Sequence, residues 1–369
     1  MARSSRRAAV TIGDVARAAG VSRATAARAL GGYGQVSQRV HEQVTAAARE
    51  LGYQPNALAR NMSTGRTQSL GVAIANIDDP FYARLTRGIT DVARAEGLEV
   101  LVANTDEDPE LERRAVQVFQ ANQLEGILLT PAPTAHAEHL IAANEQGTPV
   151  VLMDRHPRGL GLDAVVVDNR EATRRAIHHL LDAGHTRIAF VAGGGRPDAR
   201  EESPRPSPDS SDVALAATTL ERIDGYRAAL AERNIPADSR YLRCGDFHRE
   251  AAKAEAHQLL ALDEPPTAIF AAGSIPALGT VEAIYDSGLR IPDDLSVIAF
   301  DDADWSNVVQ PPLTAISQPA YDVGALATRT LLQRIRGDDS PPVVHVLDTE
   351  LRNRKSVGEP RTASRRPAE

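Results

Sequence analysis

A chain of 369 residues with 42 % hydrophobic content is long for one domain and apolar enough for full cores, which suits a small module joined to a larger α/β body. The net charge of −8 (41 basic, 49 acidic residues) is unevenly spread: residues 1–66 hold ten arginines against Asp14, Glu42 and Glu50, about +7, leaving about −15 for the rest. A single cysteine, Cys244, excludes an internal disulfide framework, no apolar run is long enough to span a membrane, and no apolar stretch follows the N-terminal arginines as in a secretory signal, so a cytoplasmic protein without membrane contact is expected.

In chain order, Thr11 is placed to cap a first helix, with Asp14 three residues on in the capping-box position. Ile12, Val15, Ala16 and Ala19 share its apolar face, and Gly20 supplies the left-handed residue that ends it. Ser22 then caps a second helix that opens with Arg23. Two short helices across a tight turn make a helix-turn-helix, whose second helix fits a DNA major groove with its first residues at the base edges. A basic module on an acidic body agrees with a phosphate-binding head. Only Lys253 and Lys355 are lysines, so almost all positive charge is arginine, which favours bidentate phosphate contacts. Ser37 is expected to cap a third helix that buries Val40, Val44, Ala47, Ala48 and Leu51 and ends at Gly52. Asn56 is placed to cap a short helix through Met62.

From Leu70 the texture changes to apolar strands alternating with helices. Strands are expected at 70–75, 98–103, 126–130, 149–154 and 164–168, with helices at 81–96, 109–122, 136–146 and 170–183. The cycle restarts with strands at 187–192, 240–244, 267–271 and 296–300 and helices at 218–232, 248–261 and 276–287. This alternation means doubly wound parallel sheets, enough for two lobes, with a ligand cleft outside the carboxyl ends of the strands. Residues 196–213 carry four prolines and four serines among many charges and cannot bury much apolar surface, so a disordered insert is expected there, and a disordered tail over 358–369.

With these residues in view the chain resembles the LacI/GalR family of transcription regulators. The resemblance rests on the helix-turn-helix, Gly52-Tyr53-Gln54-Pro55-Asn56-Ala57-Leu58-Ala59-Arg60, the segment from His179 to His185, Phe300-Asp301-Asp302, and the run Pro311-Pro312-Leu313-Thr314 through Pro319. Together and in order these cover nearly the whole chain. The resemblance implies an α-helical helix-turn-helix headpiece (1–55), a hinge helix and linker (56–69), and an α/β periplasmic-binding-protein-like core of two doubly wound parallel-sheet lobes (70–357). It implies a homodimer on a near-palindromic double-stranded DNA operator. Operator affinity would be controlled by a small-molecule effector, a carbohydrate or its derivative, with repression as the outcome.

Carried over by position, the resemblance places Arg23, Ala24 and Arg28 at base-reading positions. Each arginine can take a guanine through O6 and N7, while Ala24 can only touch a thymine methyl. Thr11, Ser22, Thr25, Ser37, Tyr53 and Asn56 match backbone-contact positions, which set register. Ala59 and Met62 match hinge residues facing the minor groove, with Met62 where the family usually has a leucine wedge.

The effector pocket implied by the resemblance has Phe81 and Tyr82 as an aromatic wall, Phe247 as a stacking aromatic on the other lobe, Arg222 holding a ligand hydroxyl or carboxylate, and Asp154 as a polar lining group. The family commonly has Asn-Asp where this chain has Gly273-Ser274, so Ser274 stands as a weaker, uncharged substitute for a ligand-anchoring aspartate. No cofactor or metal is expected: His178, His179 and His185 lack carboxylate or cysteine partners at ligand spacing, and Gly193-Gly194-Gly195 lacks the lysine of a phosphate loop. Asp301, Asp302 and Asp304 read as a solvated or hydrogen-bonded loop near the lobe hinge. No nucleophile constellation supports an enzyme.

Overall fold

The computed structural model describes residues 10–31, 35–53, 67–133, 137–157, 159–193, 216–245 and 248–361. The chain divides into two compact units, residues 1–67 and 68–369. The hinge positions Asn56, Ala59 and Met62, Phe247, and the insert 196–213 lie outside the described residues.

The first unit holds helices Ile12–Ala18, Arg23–Gly31 and Gln38–Glu50. The capping box forms: the Asp14 N–H donates to Thr11 Oγ1 at 3.4 Å and the Thr11 N–H donates to Asp14 Oδ2 at 3.0 Å. Gly20 ends the first helix at φ +61°, and Ser22 Oγ accepts the Thr25 N–H at 3.1 Å to start the second. The core is Val15, Val44 and six alanines, so the helices approach closely, with Ile12, Val21, Leu30, Val36, Val40 and Tyr53 closing its edge. Two expectations fail. Ser37 precedes its helix with extended backbone but makes no side-chain cap bond, so its hydroxyl stays exposed, and Leu51, beyond the last buried turn, is exposed.

The second unit holds two six-stranded sheets. The first has the order β11-β5-β4-β3-β1-β2, with β1 Ser69–Ile74, β2 Glu99–Asn104, β3 Gly126–Leu129, β4 Val150–Met153, β5 Asp163–Val167 and β11 Val344–Leu347, all parallel. The second has the order β12-β10-β9-β8-β6-β7, with β6 Ile188–Gly193, β7 Leu242–Gly245, β8 Ala268–Ala271, β9 Ser296–Phe300, β10 Thr314–Ser317 and β12 Glu350–Arg352, of which only β12 runs antiparallel. Both repeat the doubly wound order 2-1-3-4-5, whose switch point lies between the first and third strands. Central strands are buried throughout because helices cover both faces, whereas β2 is an edge strand that exposes Leu101 and Val102.

Beyond Phe300 the 3-10 turn Asp304–Asn307, β10, helix Ala320–Ile335, β11 and β12 went unread in the sequence. That helix returns from the second lobe to the first, where it packs on β3, β4, β5 and helix Pro80–Ala95. The chain therefore crosses between lobes three times, after Val167, Ser317 and Leu347. Helix Ser274–Asp286 starts two residues before its expected position, and Ser239–Tyr241 forms a 3-10 turn where β7 was expected to begin. The first residues of the expected tail are tied down: the Gly358 N–H donates to Ser296 Oγ at 3.0 Å, and Arg361 pairs with Asp294 at 2.6 Å.

Two of the three histidines weighed as metal ligands have protein partners. His185 is buried against Thr267, Ser296 and the Gly358 carbonyl, and His178 bonds to Glu232. Among the described residues no helix is long and apolar enough to cross a membrane.

Candidate DNA-reading helix and interlobe cleft

On the first unit, helix Arg23–Gly31 leads with its exposed end. Arg23, Ala24 and Arg28 are exposed and Thr25 is half-buried, because Ala26 and Ala29 turn the opposite face into the core. Arg28 rests its Nε on the Ala24 carbonyl at 3.3 Å. Among the described residues neither Arg23 nor Arg28 is ion-paired with a carboxylate, so the Arg23 guanidinium and the terminal nitrogens of Arg28 keep their donors for a phosphate or a guanine edge. Thr11, Ser22 and Ser37 are exposed, and Tyr53 is half-buried against the core. Thr11 and Ser22 double as helix caps, so their hydroxyls are already oriented.

In the second unit a cavity of about 50 Å³ lies between the lobes. It is built from strand ends: Asp79 follows β1, Glu107 follows β2, and Asp154 with Arg155 follows β4, facing Gly193, Ala272, Asp301 and Gln318 at the ends of β6, β8, β9 and β10. Asp154 and Asp301 take left-handed backbone conformations, φ +65° and +75°, which few residues other than glycine adopt. Their side chains are thereby aimed off the strand ends into the cleft, at a cost in backbone strain.

Four expected residues meet in this cavity: Phe81, Tyr82, Asp154 and Arg222. Phe81 and Tyr82 pack edge to face at 5.1 Å. Tyr82 is a buried donor more than a wall, giving its hydroxyl to Asp154 Oδ2 at 3.0 Å. Burial, with the charge of Asp154, pushes the phenol well above its ordinary value, so it keeps the proton it donates. Arg222, inside helix Ala217–Glu232, donates from Nε to Asn169 Oδ1 at 2.9 Å and from Nη1 to the Ala272 carbonyl at 3.0 Å, with its guanidinium 3.6 Å from the centre of the Phe300 ring. Burial pulls its pKa down, against the pull of Asp301 and Asp154.

Ser274 is used differently from expectation. Its hydroxyl donates to Asp79 Oδ1 at 2.8 Å, a bond from one lobe to the other. The serine lines a smaller neighbouring cavity with Asp301 and Gln318.

Among the lining residues not expected there are Asp79, Glu107, Arg155, Asp301 and Gln318. Arg155 is buried and holds Glu107 through both terminal nitrogens, one at 2.6 Å, while a third bond reaches the Pro131 carbonyl at 3.0 Å. Asp79 caps helix Pro80–Ala95 by accepting the Phe81 N–H at 2.9 Å, and burial raises its pKa. Asp301 accepts from Gln318 Nε2 at 2.5 Å. Burial and the charge of Asp79 push it up to about 7. Its neighbours in the acidic loop differ. Asp302 binds Arg352 at 2.7 Å and Arg354 at 2.8 Å, and Asp304 is exposed and pairs with Arg84 of the first lobe.

Comparison with known proteins agrees with both units. Residues 11–56 match the description "Bacterial regulatory proteins, lacI family", and residues 177–357 match a periplasmic binding protein-like domain. Catabolite control protein A of Priestia megaterium is 34 % identical over 322 residues, covering 87 % of this chain and 91 % of its own. The transcriptional repressor CytR of Escherichia coli is 33 % identical over 343 residues, 93 % of this chain and 95 % of its own. Among solved structures, the Lac repressor dimer bound to operator and the anti-inducer ONPF superposes with a TM-score of 0.79 at 26 % identity, covering 95 % of this chain and 99 % of that one. The complex of the regulator CelR with cellobiose superposes at 0.66 with 29 % identity over 94 % and 99 %.

Proposed function

The chain belongs to the lacI family of bacterial regulatory proteins, and from that premise we propose that a sugar-like ligand in the interlobe cleft sets how tightly its helix-turn-helix holds a near-palindromic operator. The protein is a DNA-binding transcriptional repressor and not an enzyme, and it works as a homodimer. We place its action on chromosomal DNA in the cytoplasm.

The observation that carries the ligand reading is the cleft itself, where groups from both lobes converge at the strand ends on one cavity. Phe81 offers a ring to stack on, and Asp154 and Arg222 offer directed hydrogen bonds, a set that suits a sugar. The cellobiose and ONPF complexes of the relatives support a glycoside-sized ligand. A cavity of about 50 Å³ is far below the ~300–1,000 Å³ of small-molecule sites, so the lobes must part to admit such a ligand. Parting them breaks the Ser274–Asp79 bond and the Arg84–Asp304 pair. A ligand that prefers one lobe angle then shifts the DNA-competent population by its differential affinity.

Selection of bound DNA from a random duplex pool, repeated with a panel of sugars, tests this reading. One enriched near-palindrome whose recovery changes with a sugar is the expected result, and enrichment of nothing beyond salt-sensitive nonspecific binding overturns it. Arg23→Ala is expected to lose about 1–3 kcal/mol of discrimination at one base pair per half-site. Equal weakening on every sequence makes Arg23 a phosphate contact instead. Arg222→Ala is expected to abolish the ligand-induced change in operator affinity, read by fluorescence anisotropy of labelled operator. A response that survives removes Arg222 from the site.

A further inference from the structure

The charges lining the cleft do not balance, and the imbalance selects the ligand. Among the described residues the cavity carries Asp79, Glu107, Asp154 and Asp301 against Arg155 and Arg222. Arg155 is committed to Glu107 and to the Pro131 carbonyl, with its Nε 3.4 Å from Asp154. Arg222 spends two nitrogens on neutral acceptors, Asn169 and the Ala272 carbonyl. Four carboxyl groups thus share two guanidinium groups, and Arg155 is already spent on Glu107 and Asp154.

Among the described residues no arginine or lysine bonds to Asp79 or Asp301. Asp79 has the Phe81 N–H and the Ser274 hydroxyl, and Asp301 has the Gln318 amide. These two come from opposite lobes, and each meets charge from the other side. Asp154 acts on both as a further negative charge, and Arg222 on both as the compensating positive one. Arg84 and Asp302 line the smaller cavity beside Asp301, but Arg84 is engaged by Asp304, and Asp302 by Arg352 and Arg354.

Building on the cleft as the ligand site, we propose that it accepts a neutral or cationic molecule that presents hydroxyl or ammonium donors to Asp79 and Asp301, and that it excludes phosphorylated or carboxylated molecules. An anion drawn into the cleft faces four carboxyl groups against two guanidinium groups, one of them already held by Glu107 and Asp154, and buried like charges are costly. A hydroxyl or ammonium donor instead finds acceptor oxygens that nothing cationic occupies.

The same geometry links binding to protons. Asp301, pushed up to about 7, is part-protonated near neutrality. A donor on the ligand favours its ionised form, so binding releases a proton and tightens as pH rises through 7.

Two measurements on the full-length protein decide the matter. In calorimetric titrations with glucose, glucosamine, glucose 6-phosphate and glucuronate, and with ribose and ribose 5-phosphate, each anionic member is expected to bind at least about tenfold more weakly than its neutral parent. A phosphorylated or carboxylated member that binds tighter than its parent overturns the proposal. A panel member that binds Arg222→Ala as tightly as wild type sits outside the cleft, which sinks the cleft reading and not the charge argument.

The second measurement needs no ligand: thermal unfolding of wild type and Asp301→Asn from pH 5 to pH 8. A carboxyl raised in the folded state binds its proton more tightly there, so the contribution of Asp301 to stability falls as pH climbs from near 3.8 to about 7 and levels above it. The melting-temperature advantage of Asp301→Asn is therefore expected to grow from pH 5 to pH 7 and then flatten. A pH-independent difference overturns the surplus of buried negative charge on which the selectivity rests.

Discussion

Replacing Arg155 with alanine lowers the unfolding free energy of the two-lobed unit by about 3–5 kcal/mol, read by urea denaturation at neutral pH. The guanidinium is 4 % exposed, and its partner Glu107 is 8 % exposed. Removing the arginine strands a carboxylate that is largely shielded from water, and the Pro131 carbonyl loses its donor as well. The large effect is the cost of an uncompensated buried charge, not the net worth of the pair. Arg155→Met with Glu107→Gln, which removes both charges at similar volume, should therefore recover most of the loss. A single-variant loss under about 1 kcal/mol would mean that the site relaxes or admits water.

Gly324→Ala is the second. Helices Pro80–Ala95 and Ala320–Ile335 cross with their backbones in contact: a Cβ on Gly324 would lie 2.1 Å from the Leu85 carbonyl oxygen, and one on Gly88 would lie 2.1 Å from that of Tyr321. Neither obstacle is a side chain that can swing aside, so the helices must separate. The expected loss is about 3 kcal/mol, at the top of the range for overpacking. Gly88→Ala should cost a similar amount, and the double variant less than the sum, because the first methyl already opens the contact. Thermal melts of the three variants check this, and a melting temperature unchanged by Gly324→Ala contradicts the crossing. Gly225 against Arg170 and Gly279 against Arg249 repeat the arrangement in the second lobe.

What could be read from the sequence divides along the range of the interactions involved. The capping box at Thr11 and Asp14, the left-handed Gly20 and the Ser22 cap are settled within four residues, and local pattern finds them. Buried strands such as β1 and β8 announce themselves as unbroken apolar runs. Helix Ala320–Ile335 does not, because Gly324, Thr328 and Thr330 dilute its apolar pattern, and Gly324 makes sense only once Leu85 is beside it.

The cleft shows the same divide. Phe81, Tyr82, Asp154 and Arg222 were found through resemblance. Asp79 reads locally as a helix cap and Asp301 as part of a solvated or hydrogen-bonded acidic loop. The group that raises Asp301 most, after burial, is Asp79 on the other lobe, more than two hundred residues away. Ser274 was assigned to a ligand because its interlobe partner cannot be seen from its neighbours.

The return of helix Ala320–Ile335 and β11 to the first lobe has a consequence for the newborn chain. That lobe opens at β1 yet lacks the helix against Gly88 and the strand beside β5 until residue 347 has left the ribosome. The second lobe also draws on that stretch, through β12 and the bonds of Arg354, Ser356, Gly358 and Arg361, but its five parallel strands are all made before residue 318. Domains usually fold in the order of synthesis, but here the lobe begun first is finished only after the five parallel strands of the second lobe have been made. A premature stop before residue 320 would thus cripple the lobe that was begun first.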